Sequence, residues 1–185
     1  MLASTSSLAK PGAWGTLFAL DKETRKVLWS FGTIESDNPW GHPELNSGGG
    51  AWCPPAVDLD RRVSYWGTSN PYPFPGAEGF PNGESRPSDS KWIDSILAID
   101  LDTGELKWGH QAVAHDLFDR DTVLTAVADL DEETQRHVII STGKLGRVIS
   151  LDPDGKVIWN TPVGMHQNDD LASFEGEIEV LQAGS

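Results

Sequence analysis

An all-β chain of small, stacked sheets is the fold class that this 185-residue sequence predicts, and three observations predict it. One strand–turn–strand pattern is written three times, as LDKETRKVLW over 20–29, IDLDTGELKW over 99–108 and LDPDGKVIW over 151–159. Glycine (19) and proline (12) are abundant. Helical periodicity is scarce, and short apolar runs bounded by turn residues dominate. A unit this short cannot bury its own apolar face, so its copies must stack on neighbours.

Within each copy a short apolar strand ends in Asp, a polar turn follows, and a second strand is closed by Trp. The carboxylates of Asp102 and Asp154 are expected to fold onto nearby backbone N–H groups, while Gly104 and Gly155 supply positive φ. Flanked by alternating hydrophobics, D-x-G and D-G are hairpin signals. The first copy carries Arg25 where glycine is expected, which predicts a looser or differently typed turn. Trp29, Trp108 and Trp159 are placed where a large ring, burying roughly 150–250 Å², can dock between adjacent sheets.

In chain order, strands are expected near 15–21 and 26–31, then 53–58, 62–68, 94–100 and 105–110, then 122–129, 136–142, 146–151 and 156–160. The second and third sets contain four strands each, the size of one β-propeller blade. Trp108 and Trp159 lie 51 residues apart, one blade with a generous loop. Trp29 and Trp108 lie 79 apart, more than a bare blade of about 40–50 residues. The surplus falls in 32–52 and 70–93, rich in Gly, Pro, Asn and Ser. Loops longer than about 12–15 residues usually carry function. The expected organisation is an irregular segment over 1–14, blades over 15–167, and an acidic loop over 168–185 leading to a strand (EIEVLQ) of a truncated next blade. Two complete blades and pieces of two others fall short of the roughly four to eight that close a propeller, so the chain is expected to be part of a longer protein.

A formal charge of −14 argues against nucleic acid, whose phosphates demand Lys and Arg. A single cysteine, Cys53, forms no internal disulfide. The N-terminus holds no apolar core typical of a signal peptide, and no run approaches the roughly 18 apolar residues of a membrane span.

The repeat resembles the tryptophan-docking motif of PQQ (pyrroloquinoline quinone)-dependent alcohol dehydrogenases, which are eight-bladed propellers. Four further segments strengthen the likeness, in the family's order: GGGAW at 48–52, YWGTSNP at 65–71, HDLFDRD at 115–121 and TGKLGRVISLD at 142–152. The resemblance implies an oxidoreductase that oxidises a small or polymeric alcohol with PQQ and a bound Ca²⁺ or lanthanide ion, working outside the cytoplasm and completed by the rest of its own propeller. It implies Trp52 as a flat platform beneath the quinone, Gly49 and Gly50 as backbone that passes close to it, and Lys144 as a contact to the quinone oxygens. It makes Asp119 the catalytic base and a metal ligand, Asn70 a metal ligand, and Asp121 an added ligand of the lanthanide-dependent branch. His115 and Asp116 are expected to be structural, and Glu35, Asp37, His42 and Glu44 receive no role.

Read without the family, the same residues have plainer meanings. Trp52 is a core aromatic, Asn70 a turn former before Pro71, Asp119 and Asp121 a turn-capping pair, and Lys144 a surface lysine. The family pattern also includes a metal-ligating Glu from an earlier blade and a pair of adjacent cysteines; neither is in this chain, and Phe118 replaces the usual Trp. The alternative function is a non-catalytic PQQ-like propeller serving as a scaffold for protein interactions.

Overall fold

A computed structural model describes residues 1–5, 10–34, 41–86, 91–129 and 137–163. The described residues contain strands and no helix. The EIEVLQ strand expected near the C-terminus, and Glu35 and Asp37, lie outside them.

Strands β1 (Leu2–Thr5), β2 (Thr16–Leu20) and β3 (Val27–Gly32) form a three-stranded antiparallel sheet. After the short β4 (Ser47–Gly48) come β5 (Ala56–Asp58) and β6 (Val63–Gly67). Two small ribbons follow: β7 (Pro71–Tyr72) pairs with β4, and β8 (Gly76–Ala77) pairs with β9 (Phe80–Pro81). Strands β10 (Ser95–Asp100) and β11 (Leu106–Gln111) then complete a four-stranded sheet of order β11-β10-β6-β5. The last sheet is a meander of β12 (Leu124–Asp129), β13 (His137–Thr142), β14 (Arg147–Leu151) and β15 (Val157–Pro162). Two four-stranded blades and a three-stranded one make the partial propeller that the repeats predict.

The middle blade is covered on both faces, and its side chains divide by strand alternation. On β10, Ile96 and Ala98 join Tyr65, Ile139, Ile149 and Leu151 in one buried cluster. Leu97 and Ile99 point the other way, into a cluster with Leu17, Ala19, Trp29 and Trp66. That is why SILAID reads as an almost unbroken apolar run. Each such aliphatic side chain contributes roughly 1.5–3 kcal/mol by burial.

The three repeats share one geometry. Register shifts fall at Ala19/Leu20, Ala98/Ile99 and Ser150/Leu151, one step before each strand-ending Asp. Three corrections to the expected turns follow. The carboxylates that fold onto the backbone belong to Asp21, Asp100 and Asp152, each accepting two N–H groups at 2.7–3.1 Å. Asp102 instead pairs with Arg62 across the β5–β6 turn. Arg25 also takes the same left-handed conformation (φ 60°) as Gly104 (77°) and Gly155 (85°), and its N–H reaches Asp21 O at 2.9 Å as theirs reach Asp100 O and Asp152 O. The first turn is therefore of the same kind as the second, the third being one residue shorter, and it is held at a cost of about 1 kcal/mol for a residue with Cβ.

Glycine is required in the other two turns for a second reason. A Cβ on Gly104 would lie 2.6 Å from the Trp29 ring, and one on Gly155 would lie 2.6 Å from the Trp108 ring. Each indole lies on the turn of the next blade and donates its Nε1–H there, Trp29 to Leu101 O (2.9 Å) and Trp108 to Pro153 O (2.8 Å). The repeat is thus a lock between blades as well as a hairpin.

The N-terminal segment differs from the irregular one expected. Leu2–Thr5 pair with β2, the terminal ammonium donates to Leu20 O at 2.8 Å, and Ser4 Oγ donates to Ala51 O. Polar residues such as Ser4 and Thr5 carry little strand signal of their own; the exposed edge of β2 supplies the pairing.

Candidate functional site

One end of the blades collects the connections that follow β4, β6, β11 and β13. Their side chains meet around a cavity of about 350 Å³ lined by Trp52, Ser69, Asn70, Tyr72, Phe74, Asp119, Asp121 and Lys144. Five residues singled out from the sequence are therefore neighbours, although they come from four separate segments.

Backbone contacts without Cβ atoms bring those segments together. Gly48 and Gly49 have φ of 117° and 66°, and Gly49 N donates to Asn70 O at 3.0 Å. A Cβ on Gly48 would lie 2.5 Å from Asn70 O. Gly50 O accepts from Ser69 N at 2.8 Å. Gly49 and Gly50 do not line the cavity; they seat the Asn70 strand and set the exit of the chain toward Trp52. Similarly, a Cβ on Gly143 would overlap the Asp121 carbonyl oxygen, and its absence lets Lys144 N donate to that oxygen at 2.8 Å.

Asp121 is 2 % exposed; its Oδ1 accepts from Asn70 N at 2.7 Å and its Oδ2 lies 2.6 Å from Lys144 Nζ. Lys144 also pairs with Asp119 Oδ1. Burial alone would lower the Lys144 ammonium's pKa, but its hydrogen bonds to Asp119 and Asp121 outweigh that and hold it above the ordinary lysine range. Asn70 is buried, and its Nδ2 donates to Pro71 O at 2.8 Å, which leaves Oδ1 as the amide's donor atom toward a cation. Trp52 is 55 % exposed, so it presents ring surface at the cavity mouth in place of filling a core.

Asp119 sits in the left-handed region (φ 63°), a conformation held by its surroundings. The completely buried Asp116 does most of this: its carboxylate accepts from Phe118 N at 2.8 Å and from Arg120 N at 2.7 Å. Arg86 Nη2 ties Asp116 O (2.8 Å) to Phe74 O (2.7 Å), joining the Asp119 loop to the aromatic wall. Burial raises the Asp116 carboxyl, against the pull of the Arg120 and Phe118 amides and the Arg86 charge. Phe118 lies beneath the Arg120 guanidinium, 5.3 Å from it. His115 meets Asn82 O at 2.9 Å. His42 and Glu44 form an exposed pair at 2.9 Å.

Sequence reasoning missed several members of the site. Tyr72 and Phe74 follow Asn70–Pro71 directly, and that proximity is the signal that could have found them. Arg86, which ties the Asp116 and Phe74 carbonyls together, was hidden because nothing local marks it. A larger cleft, about 580 Å³, lies at the opposite end beside Arg61, His137, Asp152 and Lys156. Two of its lining residues, Arg61 (3.2 Å) and His137 (2.9 Å), are paired to the buried Asp58, and the carboxylate in its lining is that of Asp152, without the converging oxygen donors of the first cavity.

Two carboxylates and an amide oxygen are hard donors of the kind Ca²⁺ and related ions take, six to eight at a time. Among the described residues no three His, Cys, Asp or Glu side chains gather as a metal site. Asn70, Asp119 and Asp121 thus fit one part of such a coordination sphere, and the exposed indole fits a planar ligand laid across the mouth.

The family model for the PQQ-dependent "Glucose/ethanol/alcohol dehydrogenase, beta-propeller domain" matches residues 2–173. The chain belongs to that family. Quinohemoprotein alcohol dehydrogenase ADH IIB of Pseudomonas putida is 30 % identical to this PQQ-propeller chain over 186 residues, covering 85 % of the chain and 26 % of the relative. Methanol dehydrogenase [cytochrome c] subunit 1 of Methylorubrum extorquens is 31 % identical over 182 residues, covering 83 % and 28 %. The crystal structure of quinohemoprotein alcohol dehydrogenase from Comamonas testosteroni superposes with a TM-score of 0.68 at 24 % identity, covering 82 % of this chain and 25 % of that one. The propeller chain thus spans about a quarter of the length of these relatives.

Proposed function

We propose that this chain supplies the alcohol-facing wall of a PQQ-dependent oxidoreductase centre. The observation that carries the reading is convergence: Trp52, Asn70, Asp119, Asp121 and Lys144 leave four different loops and line one cavity. Asp119, the more exposed carboxylate at 36 %, takes the proton of the alcohol hydroxyl as general base. Asn70, Asp121 and Asp119 hold one side of a Ca²⁺ or lanthanide ion. Trp52 carries the flat cofactor, and the Lys144 ammonium stabilises charge on its oxygens. Held there, PQQ would supply the hydride acceptor for the alcohol carbon, and the ion would supply the charge that makes it more electrophilic. Tyr72 and Phe74 shield the reacting end from water. The missing ion ligands and the opposite face of the cofactor come from outside this chain, and the reading places the protein outside the cytoplasm.

The test is to titrate the full-length protein with PQQ plus Ca²⁺ or a lanthanide, and then to follow dye-linked oxidation of small and polymeric alcohols. Asp119→Asn should abolish turnover while sparing cofactor binding. No quinone binding in the full-length protein would overturn the proposal and favour a propeller that serves as an interaction scaffold. Unchanged turnover in Asp119→Asn would assign the base elsewhere.

A further inference from the structure

We infer that Lys144 is a built-in counter-ion: in the cation-free protein its ammonium holds the point between Asp119 and Asp121, and it must swing off both carboxylates before an ion can bind there. The inference rests on the ion-binding reading above and adds a competitor within the chain to it.

Lys144 Nζ lies 2.6 Å from Asp121 Oδ2 and pairs at the same time with Asp119 Oδ1. A single ammonium thus spans the two carboxylates that a hard cation would share. The two partners differ in freedom. Asp121 is 2 % exposed, and its other oxygen is fixed by Asn70 N at 2.7 Å, so it cannot follow a departing lysine. Lys144 is 49 % exposed and hangs on a flexible four-carbon stem. Its backbone N–H is held to Asp121 O at 2.8 Å, so the side chain moves while the residue stays in place.

An isolated carboxylate as buried as Asp121 is expensive to keep charged. Lys144 removes that cost in the absence of metal and keeps the site assembled. Ion binding then becomes an exchange of one cation for another. The exchange weakens the apparent affinity, and it disfavours ions whose charge does not exceed that of the ammonium they displace. Two effects of opposite sign follow for a lysine-free variant: a less stable protein without ion, and a tighter site with it.

The experiment uses terbium(III) as the probe, in the full-length protein, with emission excited through tryptophan and Trp52 lining the same cavity. Asp121→Asn is measured alongside, so that binding elsewhere on the acidic surface can be subtracted. Lys144→Met should bind terbium about tenfold more tightly than wild type, the change expected when the two partly exposed pairs to Asp119 and Asp121 no longer have to be broken. It should also unfold at lower temperature without ion and recover more on adding it. Should Lys144→Met fold poorly, the wild type carries the test alone: terbium should increase labelling of the Lys144 amine by an acylating reagent, read by mass spectrometry. Equal or weaker terbium affinity in the variant, or labelling that does not rise, overturns the counter-ion role while leaving the ion site standing. No Asp121-dependent emission in either protein overturns both.

Discussion

Asp94 offers the sharpest perturbation. It stands just before β10, completely buried, with its N–H on Ser69 O at 3.2 Å and its carbonyl accepting from Ala112 N at 2.9 Å. Among the described residues its carboxyl oxygens meet no N–H or hydroxyl donor, and the neighbouring Asp116 carboxyl is within hydrogen-bond reach only when one of the two is protonated. Burial, and then the charges of Asp116 and Asp121, push this carboxyl well above the ordinary range, with Arg86 pulling the other way. In the unfolded chain it titrates near its ordinary value of 3.8. The folded state therefore binds the proton more tightly than the unfolded state. The stability this contributes is fully present below about pH 4 and is lost as pH rises through the folded value. Over that interval the loss is about 1.4 kcal/mol per pH unit. Asp94→Asn keeps the shape and the neutral character and removes the ionisation. Urea unfolding of both proteins at several pH values from 4 to 7 should give similar stabilities at the acid end. The variant should then gain by about that slope as pH rises. A difference that does not change with pH would mean that Asp94 is ionised in the folded protein with Arg86 as its partner. The neutral acid behind the Asp116–Asp119 loop would then be wrong.

Three further outcomes are expected. Gly155→Ala places a Cβ 2.6 Å from the Trp108 ring at φ +85° and should lose about 2–3 kcal/mol in urea unfolding; a loss below about 0.5 kcal/mol would mean that the blades do not lock there. Arg25→Gly relieves a left-handed arginine (φ 60°) and should gain about 0.5–1 kcal/mol by the same measurement, whereas a loss would mean that the side chain makes a contact worth more than the backbone strain. Tyr65→Phe removes a completely buried hydroxyl that has no partner among the described residues and whose pKa burial raises to about 12. It should be neutral or stabilising by up to about 1 kcal/mol, and a clear destabilisation would reveal a buried water or ion on the oxygen.

The blade strands were legible because alternation and β-branched runs decide them locally, as SILAID and HVIIST show. The two-residue ribbons were not: Ser47–Gly48 and Pro71–Tyr72 pair only because Gly48 lets Asn70 and Pro71 come close. Leu2–Thr5 depends in the same way on the edge of β2. The site residues could be read from family motifs at single positions. Their supports could not, since Arg86 and Asp94 act through carbonyls and charges contributed by distant loops.

The three repeats also explain a difference that looks like noise in the letters. Gly104 and Gly155 each lie under an indole from the preceding blade, while the Arg25 side chain is exposed. All three positions share positive φ and a backbone hydrogen bond to the strand-ending Asp, so backbone strain alone asks for glycine equally at each. Arg25 shows that the strain of about 1 kcal/mol is tolerable, whereas a side chain under the ring would separate two blades. At Gly104 and Gly155 the tryptophan of the neighbouring blade thus adds a second requirement for glycine beyond positive φ. The Trp108 contact joins the same two blades whose β11 and β13 loops meet where Lys144 N donates to Asp121 O at 2.8 Å.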